Sequence, residues 1–258
     1  AGISLQLQTL DANGMAIMTE RSFFYMQPGE FRSCTGCHEE PGAVSSSVAV
    51  IRKRQPLALT PPVGPKYPGG LSYARTVQPV LDRYCISCHG LDKTEKKVNL
   101  IHQPSKGWRA TVPTALISKG KHYIGYLKYT RSEASNNSRP YDYFAHANPV
   151  AHMLLKNHGK TNMDRQSRQR IFDWMDVNAQ VYGDLFPNKV DQRLIDPAGL
   201  NALRAHITSV FGEKIGKQPE RALINVAQVD ESRILMAPLA TSAGGWGQMK
   251  PQWKSKKD

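Results

Sequence analysis

Two copies of one five-residue motif constrain this chain more than anything else in it: Cys34-Thr35-Gly36-Cys37-His38 and Cys85-Ile86-Ser87-Cys88-His89. Together they use all four cysteines. C-x-x-C-H is the attachment sequence of c-type haem, and its spacing is set by chemistry. Two thiols add across the two vinyl groups of one porphyrin, and the adjacent histidine falls beneath the iron as the proximal ligand. C-x-x-C also suits zinc, but a Cys2His2 zinc site needs paired histidines at finger spacing after the second cysteine, and none occur. The sequence therefore predicts two covalently attached haem c groups. Cys34, Cys37, Cys85 and Cys88 hold the porphyrins, and His38 and His89 bind the irons.

Haem is joined to C-x-x-C-H outside the cytoplasm, which predicts a periplasmic or extracellular location. The chain opens Ala1-Gly2-Ile3-Ser4, without the basic and long apolar regions of a signal peptide. Ala1 is expected to be a mature N-terminus or a cut inside a longer polypeptide. No stretch approaches the ~18–20 apolar residues of a membrane span, so no transmembrane segment is expected. Lys and Arg number 34 against 21 acidic residues, a net charge of +13 and a pI near 9.7. A basic surface steers an acidic redox partner protein or rests on anionic lipid. Nucleic acid is not expected, because no nucleic-acid motif accompanies the charge and the compartment argues against it.

Hydrophobic residues make up only 40% of the 258, with 17 prolines and 20 glycines. Such a chain buries a modest core, to which haems add apolar surface. Three regions follow. Residues 1–68 hold an N-terminal hairpin, the first motif and a Pro-rich linker. Ser4 to Leu10 alternates polar and apolar like a half-buried strand, Asp11 to Gly14 reads as a turn, and Met15 to Met18 reads as the returning strand. Residues 69–190 form a cytochrome-c-like domain around the second motif. Val77, Val80, Leu81 and Tyr84 share a helical face leading into Cys85, with Pro79 kinking that helix or opening its regular part. Asn148-Pro149 offers an N-cap with proline at N1 for a short helix to Asn157, and Arg165 to Gln180 reads as a helix turning Ile171, Phe172, Trp174 and Met175 inward. Residues 191–258 are helical, opening at Asp196-Pro197 and ending in a basic tail. The fold class expected is mainly α: cytochrome-c-like haem domains with an N-terminal β-hairpin and much irregular structure.

The sixth ligand of each iron separates carrier from catalyst. Two strong ligands leave the iron coordinatively full and suited to electron transfer, whereas an open site admits small molecules. Of the six histidines outside the motifs, His158 stands out: it closes a short helix, precedes flexible Gly159, and comes from the region expected to fold over the second haem. It is the expected distal ligand there, with Met163 as the alternative. For the first haem His146, His152 and His206 are equal candidates, beside an empty site or a ligand from another polypeptide.

Several segments carry a family resemblance. Leu5 to Asp11 with Gly14-Met15, then Gln27-Pro28-Gly29-Glu30, then Cys34-x-x-Cys37-His38-Glu39 resemble the entry to the first haem motif of the hydrazine synthase alpha-subunit family. Gln78-Pro79-Val80-Leu81-Asp82, Asn157-His158-Gly159, Arg170 to Asp176 and Ala243-Gly244-Gly245-Trp246-Gly247 continue the likeness in order over most of the chain. The resemblance implies the C-terminal dihaem portion of a multidomain c-type cytochrome, with a β-propeller domain or subunit preceding it. It also implies His158 as second ligand of a bis-histidine haem. In hydrazine synthase a tyrosine four residues beyond the first motif's histidine binds iron, and that histidine turns to zinc. Here Gly42 stands at the matching position, so ordinary ligation by His38 is expected. Gln248-Met249 stand where the family tends to place a cysteine. The expected function is a dihaem module passing single electrons between redox partners. The alternative is a hydrazine-synthase-like or peroxidase-like oxidoreductase, with the first haem as substrate site and the second as electron relay.

Overall fold

Local side-chain hydrogen bonds break the expected N-terminal strand in two. In the computed structural model, which describes residues 3–20, 23–27, 29–30, 71–90, 98–101, 140–181, 197–225 and 228–255, Ser4 to Leu10 divides into β1 (Ile3–Leu5) and β2 (Gln8–Leu10). Between them the Gln6 side-chain amide donates to the Glu20 carbonyl at 2.5 Å, and the Glu20 N–H donates to the Leu7 carbonyl at 2.9 Å. The first takes up a backbone carbonyl with a side chain, and the second carries the pairing of Gln8 with Thr19 one residue further. β2 pairs antiparallel with β3 (Ala16–Thr19), Gln8 opposite Thr19, and the register shifts between Thr9 and Leu10. β1 pairs antiparallel with β4 (Phe24–Met26), Ile3 opposite Met26. The turn joining β2 to β3 is the one expected. Asp11 Oδ1 accepts from the N–H groups of Asn13 at 2.8 Å and Met15 at 2.9 Å, and Gly14 takes a φ of +80°. A Cβ on Gly14 would overlap the amide of Gln169, which donates to the Gly14 carbonyl at 3.0 Å.

Helix predominates in the rest of the described chain. The helix that enters the second motif comes in two pieces, α1 (Tyr73–Thr76) and α2 (Gln78–Tyr84), joined at Val77. Ser72 caps α1, and Pro79 sits in the first turn of α2, where its missing N–H leaves no bond unmade. Pro79 therefore opens the regular part of the helix. The break leaves carbonyls without intrahelical donors, and polar side chains from later in the chain serve two of them. Asn225 Nδ2 donates to the Ala74 carbonyl at 2.6 Å and Arg170 Nη2 to the Arg75 carbonyl at 2.9 Å.

After the motif come α4 (Pro149–Leu155), capped by Asn148 with proline at N1, and α5 (Arg165–Asp176), capped by Asp164; the label α3 is kept for the motif itself. α5 stops four residues before the expected Gln180. Asn178 and Ala179 turn left-handed, with φ of +69° and +51°, while the Trp174 indole N–H donates to the Gln180 carbonyl at 2.7 Å. The C-terminal helices are α6 (Pro197–Phe211), α7 (Glu213–Gly216), α8 (Glu220–Leu223) and α9 (Arg233–Met236). Gly212 at φ +81° ends α6 as expected.

The main core lies between α1–α2 and α5. Tyr73, Val77, Val80 and Leu81 meet Ile171, Phe172, Trp174 and Met175 there, and the Tyr73 and Trp174 rings stand 5.3 Å apart at 58°. A smaller cluster of Ile207, Leu223 and Ile234 serves the C-terminal helices. No helix among the described residues is long and apolar enough to cross a membrane. The first C-x-x-C-H motif, the Pro-rich stretch after it, His102, His122 and the last three residues of the basic tail lie outside the described residues.

Asp176 ties the hairpin to the core. Its carboxylate accepts from the Ala16 N–H at 2.8 Å and the Ala145 N–H at 3.0 Å, and its carbonyl accepts from Gln8 Nε2 at 2.7 Å. Burial pushes the carboxyl up to about 6, against the pull of those two backbone N–H groups. Hydrogen bonds to a charged acceptor contribute about 1.5–3 kcal/mol each. Asp176→Ala is expected to lower unfolding stability by about 3 kcal/mol in urea and to speed amide exchange at Ala16 and Ala145. Unchanged exchange at both would remove Asp176 as the tie.

Candidate functional site

The second motif continues the buried helix. From Tyr84 the chain passes through Cys85 into α3 (Ile86–His89), with the His89 N–H donating to the Cys85 carbonyl at 2.9 Å. This turn places Cys85, Cys88 and His89 at i, i+3 and i+4, one face of a helix. Cys85 is half-buried and Cys88 exposed, both as free thiols. Burial pushes the Cys85 thiol up to about 12, and Asp82 and Cys88 push it the same way. A thiol held protonated is a poor metal ligand. No group of three or more His, Cys, Asp or Glu side chains able to hold a metal ion occurs among the described residues. The donor set at the motif thus fits two thioether bonds and one imidazole better than a zinc cage.

His158 arrives from the other side, carried by a short left-handed loop. α4 ends at Leu155, two residues before the expected Asn157, because Asn157 takes a φ of +54°. His158–Lys160 forms a single tight turn containing Gly159 at φ +65°. Asn157 and Asn162 clamp it from both ends: Asn157 Oδ1 accepts from the Asn162 N–H at 2.9 Å, and Asn157 Nδ2 donates to Asn162 Oδ1 at 3.0 Å. Asparagine tolerates the left-handed backbone better than most residues do.

The result is a facing pair of imidazoles. The His89 and His158 ring centroids stand 6.1 Å apart with their planes 18° from parallel. His89 Nδ1 is buried and finds no hydrogen-bond partner among the described residues. Met163, the alternative ligand, is instead packed into the main core at 5% exposure.

Three further interactions fix this arrangement, and none was picked out from sequence. Asp164 caps α5 by accepting from the Ser167 N–H and hydroxyl, each at 2.8 Å, and also accepts from the Tyr84 hydroxyl at 2.6 Å. One carboxylate therefore fastens the residue before Cys85 to the segment just after the His158 loop. Burial works to raise its pKa, but Tyr84, Ser167 and Arg83 together hold it below the usual carboxylate value. Gln248 Nε2 donates to the Arg83 carbonyl at 2.9 Å, anchoring the same helix end to the stretch after the Gly-Gly-Trp-Gly run. Asp82, one turn before Cys85, is buried and accepts from Gln78 Nε2 at 2.6 Å. A signal for the first of these existed in the sequence, where Asp164-x-x-Ser167 is an N-cap pattern; for the loop clamp, the paired asparagines bracket His158-Gly159.

Three more histidines lie within the described residues. His146 Nε2 lies 3.4 Å from Asp11 Oδ2 and its ring meets Tyr141 edge-on at 4.9 Å, beside the hairpin turn. His152 bonds through Nε2 to the His146 carbonyl at 2.7 Å. His206 lies exposed on α6. Cys34, Cys37 and His38 lie outside the described residues, so none of these histidines is placed against the first motif.

Comparison with known proteins adds one match. The family model of the hydrazine synthase alpha subunit middle domain matches residues 1–39, which hold the hairpin and end one residue past the first motif. The match supports a hydrazine-synthase-like family for this part of the chain. It names a middle domain, not a C-terminal dihaem portion, and it stops before the second motif. No curated protein and no solved structure matches.

Because Asp164 is depressed in the folded chain, its contribution is present above the unfolded value of 3.8 and is lost as pH falls below it. Asp164→Ala is expected to cost about 1–2 kcal/mol at neutral pH, the range of a lost N-cap. That difference should shrink as the pH of the denaturation series drops through 4 and below. A difference that persists at pH 3 would show that the charge of Asp164 is not what holds the two segments.

Proposed function

We infer that this chain is a c-type cytochrome module of a hydrazine-synthase-like oxidoreductase. In this reading a haem joined to Cys85 and Cys88, between His89 and His158, relays single electrons. The close imidazole pair carries the reading, since His89 and His158, from segments far apart in sequence, stand with ring centroids 6.1 Å apart. Such a haem supplies a one-electron couple, and two strong ligands leave its iron without a vacant position. His89 and His158 hold and orient it, Cys85 and Cys88 keep it from dissociating, and α2 running into the motif presents it as small cytochrome c domains do. Cys34, Cys37 and His38 repeat the same chemistry for a second haem c. This chemistry belongs in the periplasm or another extracytoplasmic space, and the net charge of +13 suits an acidic redox partner protein.

Two versions of the reading differ in the first haem. In one, both haems carry electrons between redox partners. In the other, the first haem is the substrate site and the second feeds it. The match over residues 1–39 favours the second version, because it falls on the first motif. Gly42, with no side chain to offer the iron, separates this site from the tyrosine-ligated haem of hydrazine synthase and leaves His38 as its protein ligand.

A carbon monoxide titration of the reduced holoprotein, followed by its visible spectrum, separates the two versions. Binding at one haem of two supports the substrate-site version, and binding at neither supports the carrier. In either case His158→Ala is expected to add one carbon-monoxide-binding haem and to convert one low-spin EPR signal to high-spin. An unaltered spectrum in His158→Ala would refute ligation by His158.

A further inference from the structure

Asp82 is buried in the helix that carries the second motif, at 5% exposure, and among the described residues it makes no ion pair. Its hydrogen-bond donor among the described residues is a neutral amide, Gln78 Nε2 at 2.6 Å, and the Arg233 charge acts on it without forming an ion pair. A buried carboxyl held in this way is costly to ionise, and such groups neutralise by taking up a proton. Its position is what gives it meaning. It stands one helical turn before Cys85, close enough to act on that thiol electrostatically. A second route runs through the same amide, because Gln78 Nε2 also donates to the Leu100 carbonyl at 3.1 Å, and the Leu100 N–H donates to the His89 carbonyl at 2.8 Å. Asp82 is thus linked to the sulfur that would hold the porphyrin and to the backbone of the histidine that would hold the iron.

We propose that the second haem is a proton-coupled electron carrier, with Asp82 as its proton-binding site. This rests on the haem reading given above. With a haem held there, one electron from an external one-electron donor would reduce Fe(III) to Fe(II) as one proton from solvent forms an O–H bond on the Asp82 carboxylate, and on oxidation electron and proton would both leave. The negative charge gained on reduction favours the neutral carboxyl, and the loss of that charge favours the carboxylate.

The groups facing Asp82 suit this role. Burial pushes its carboxyl up to about 7, while the Gln78 hydrogen bond and the Arg233 charge from α9 restrain the rise. Tyr73 on α1, whose hydroxyl donates to Gln78 Oε1 at 2.7 Å, is itself pushed upward by burial, then by Asp82 and Cys85, and stays protonated. Cys85 is held protonated too, and as a thioether it would not titrate. Asp82 is therefore the group on this side of the motif that changes charge near neutral pH.

A spectroelectrochemical titration of the holoprotein from pH 5 to 9 tests the proposal on the haem whose spectrum His158→Ala alters. Its midpoint potential is expected to fall as pH rises through about 7 and to be flat over the same range in Asp82→Asn. Arg233→Gln, which removes a nearby positive charge, should move the falling segment to higher pH. Reduction-minus-oxidation infrared spectra of the unaltered protein should show a protonated carboxyl band that shifts in D2O, a readout that stands even where Asp82→Asn fails to fold. A flat potential, or a slope that survives in Asp82→Asn, or the absence of that band overturns the proposal. A protein without haem on Cys85 and Cys88 overturns the underlying reading instead, and haem content distinguishes the two.

Discussion

The arrangement depends on locking α2, which runs into the turn carrying His89, to α5, which follows the loop carrying His158. α2 brings His89 and the start of α5 follows His158, so the gap between the rings is only as fixed as the contact between these helices. Tyr73 against Trp174 supplies the apolar part of that contact, and the Asp164 carboxylate bonded to Tyr84 and Ser167 supplies the directional part. A ligand pair must hold its spacing to a few tenths of an ångström. Packing alone gives contact area, whereas hydrogen bonds with defined geometry set register. The Asn157–Asn162 clamp does the same for the loop, holding its left-handed backbone at the point where His158 leaves it.

The same helix pair explains where the polar groups lie. Breaking the first helix at Val77 leaves carbonyls of α1 open, and Asn225 and Arg170 fill them, binding the C-terminal segment and α5 to the helix that runs into the second motif. Gln248 does so again at Arg83. With only 40% hydrophobic residues, the chain joins its parts through such bonds as much as through apolar area. Buried polar groups are then unavoidable, and among the described residues burial raises the carboxyls of Asp82, Asp173 and Asp176.

Much of this was legible in the residues. The helices at Pro149 and Pro197 were readable because proline at a helix start behind asparagine or aspartate leaves a signature within two positions, whereas the break at Val77 that splits α1 from α2 left none. The inward residues Ile171, Phe172, Trp174 and Met175 followed from helical period alone. The N-terminal strand was misjudged as continuous because the interruption comes from Gln6 reaching Glu20, a contact that alternation of apolar residues does not register. The end of α5 was placed four residues late for a similar reason: Asn178 and Ala179 have no glycine signal, and the Trp174 indole that caps the turn is a tertiary partner. His158 stood out through its neighbours Asn157 and Gly159, whereas Asp82 did not, since an acidic residue in a helix is usually solvated and only packing reveals it as buried. The resemblance to the hydrazine synthase alpha subunit was traced along most of the chain, and the family model supports it over residues 1–39.

The central claim is that one iron joins His89 to His158. Near-infrared magnetic circular dichroism of the oxidised holoprotein tests it most directly, because the charge-transfer band of a low-spin haem reports the chemical identity of both axial ligands. The account predicts a bis-histidine band that disappears in His158→Ala. A histidine–methionine band, or a band unmoved by that substitution, would contradict it.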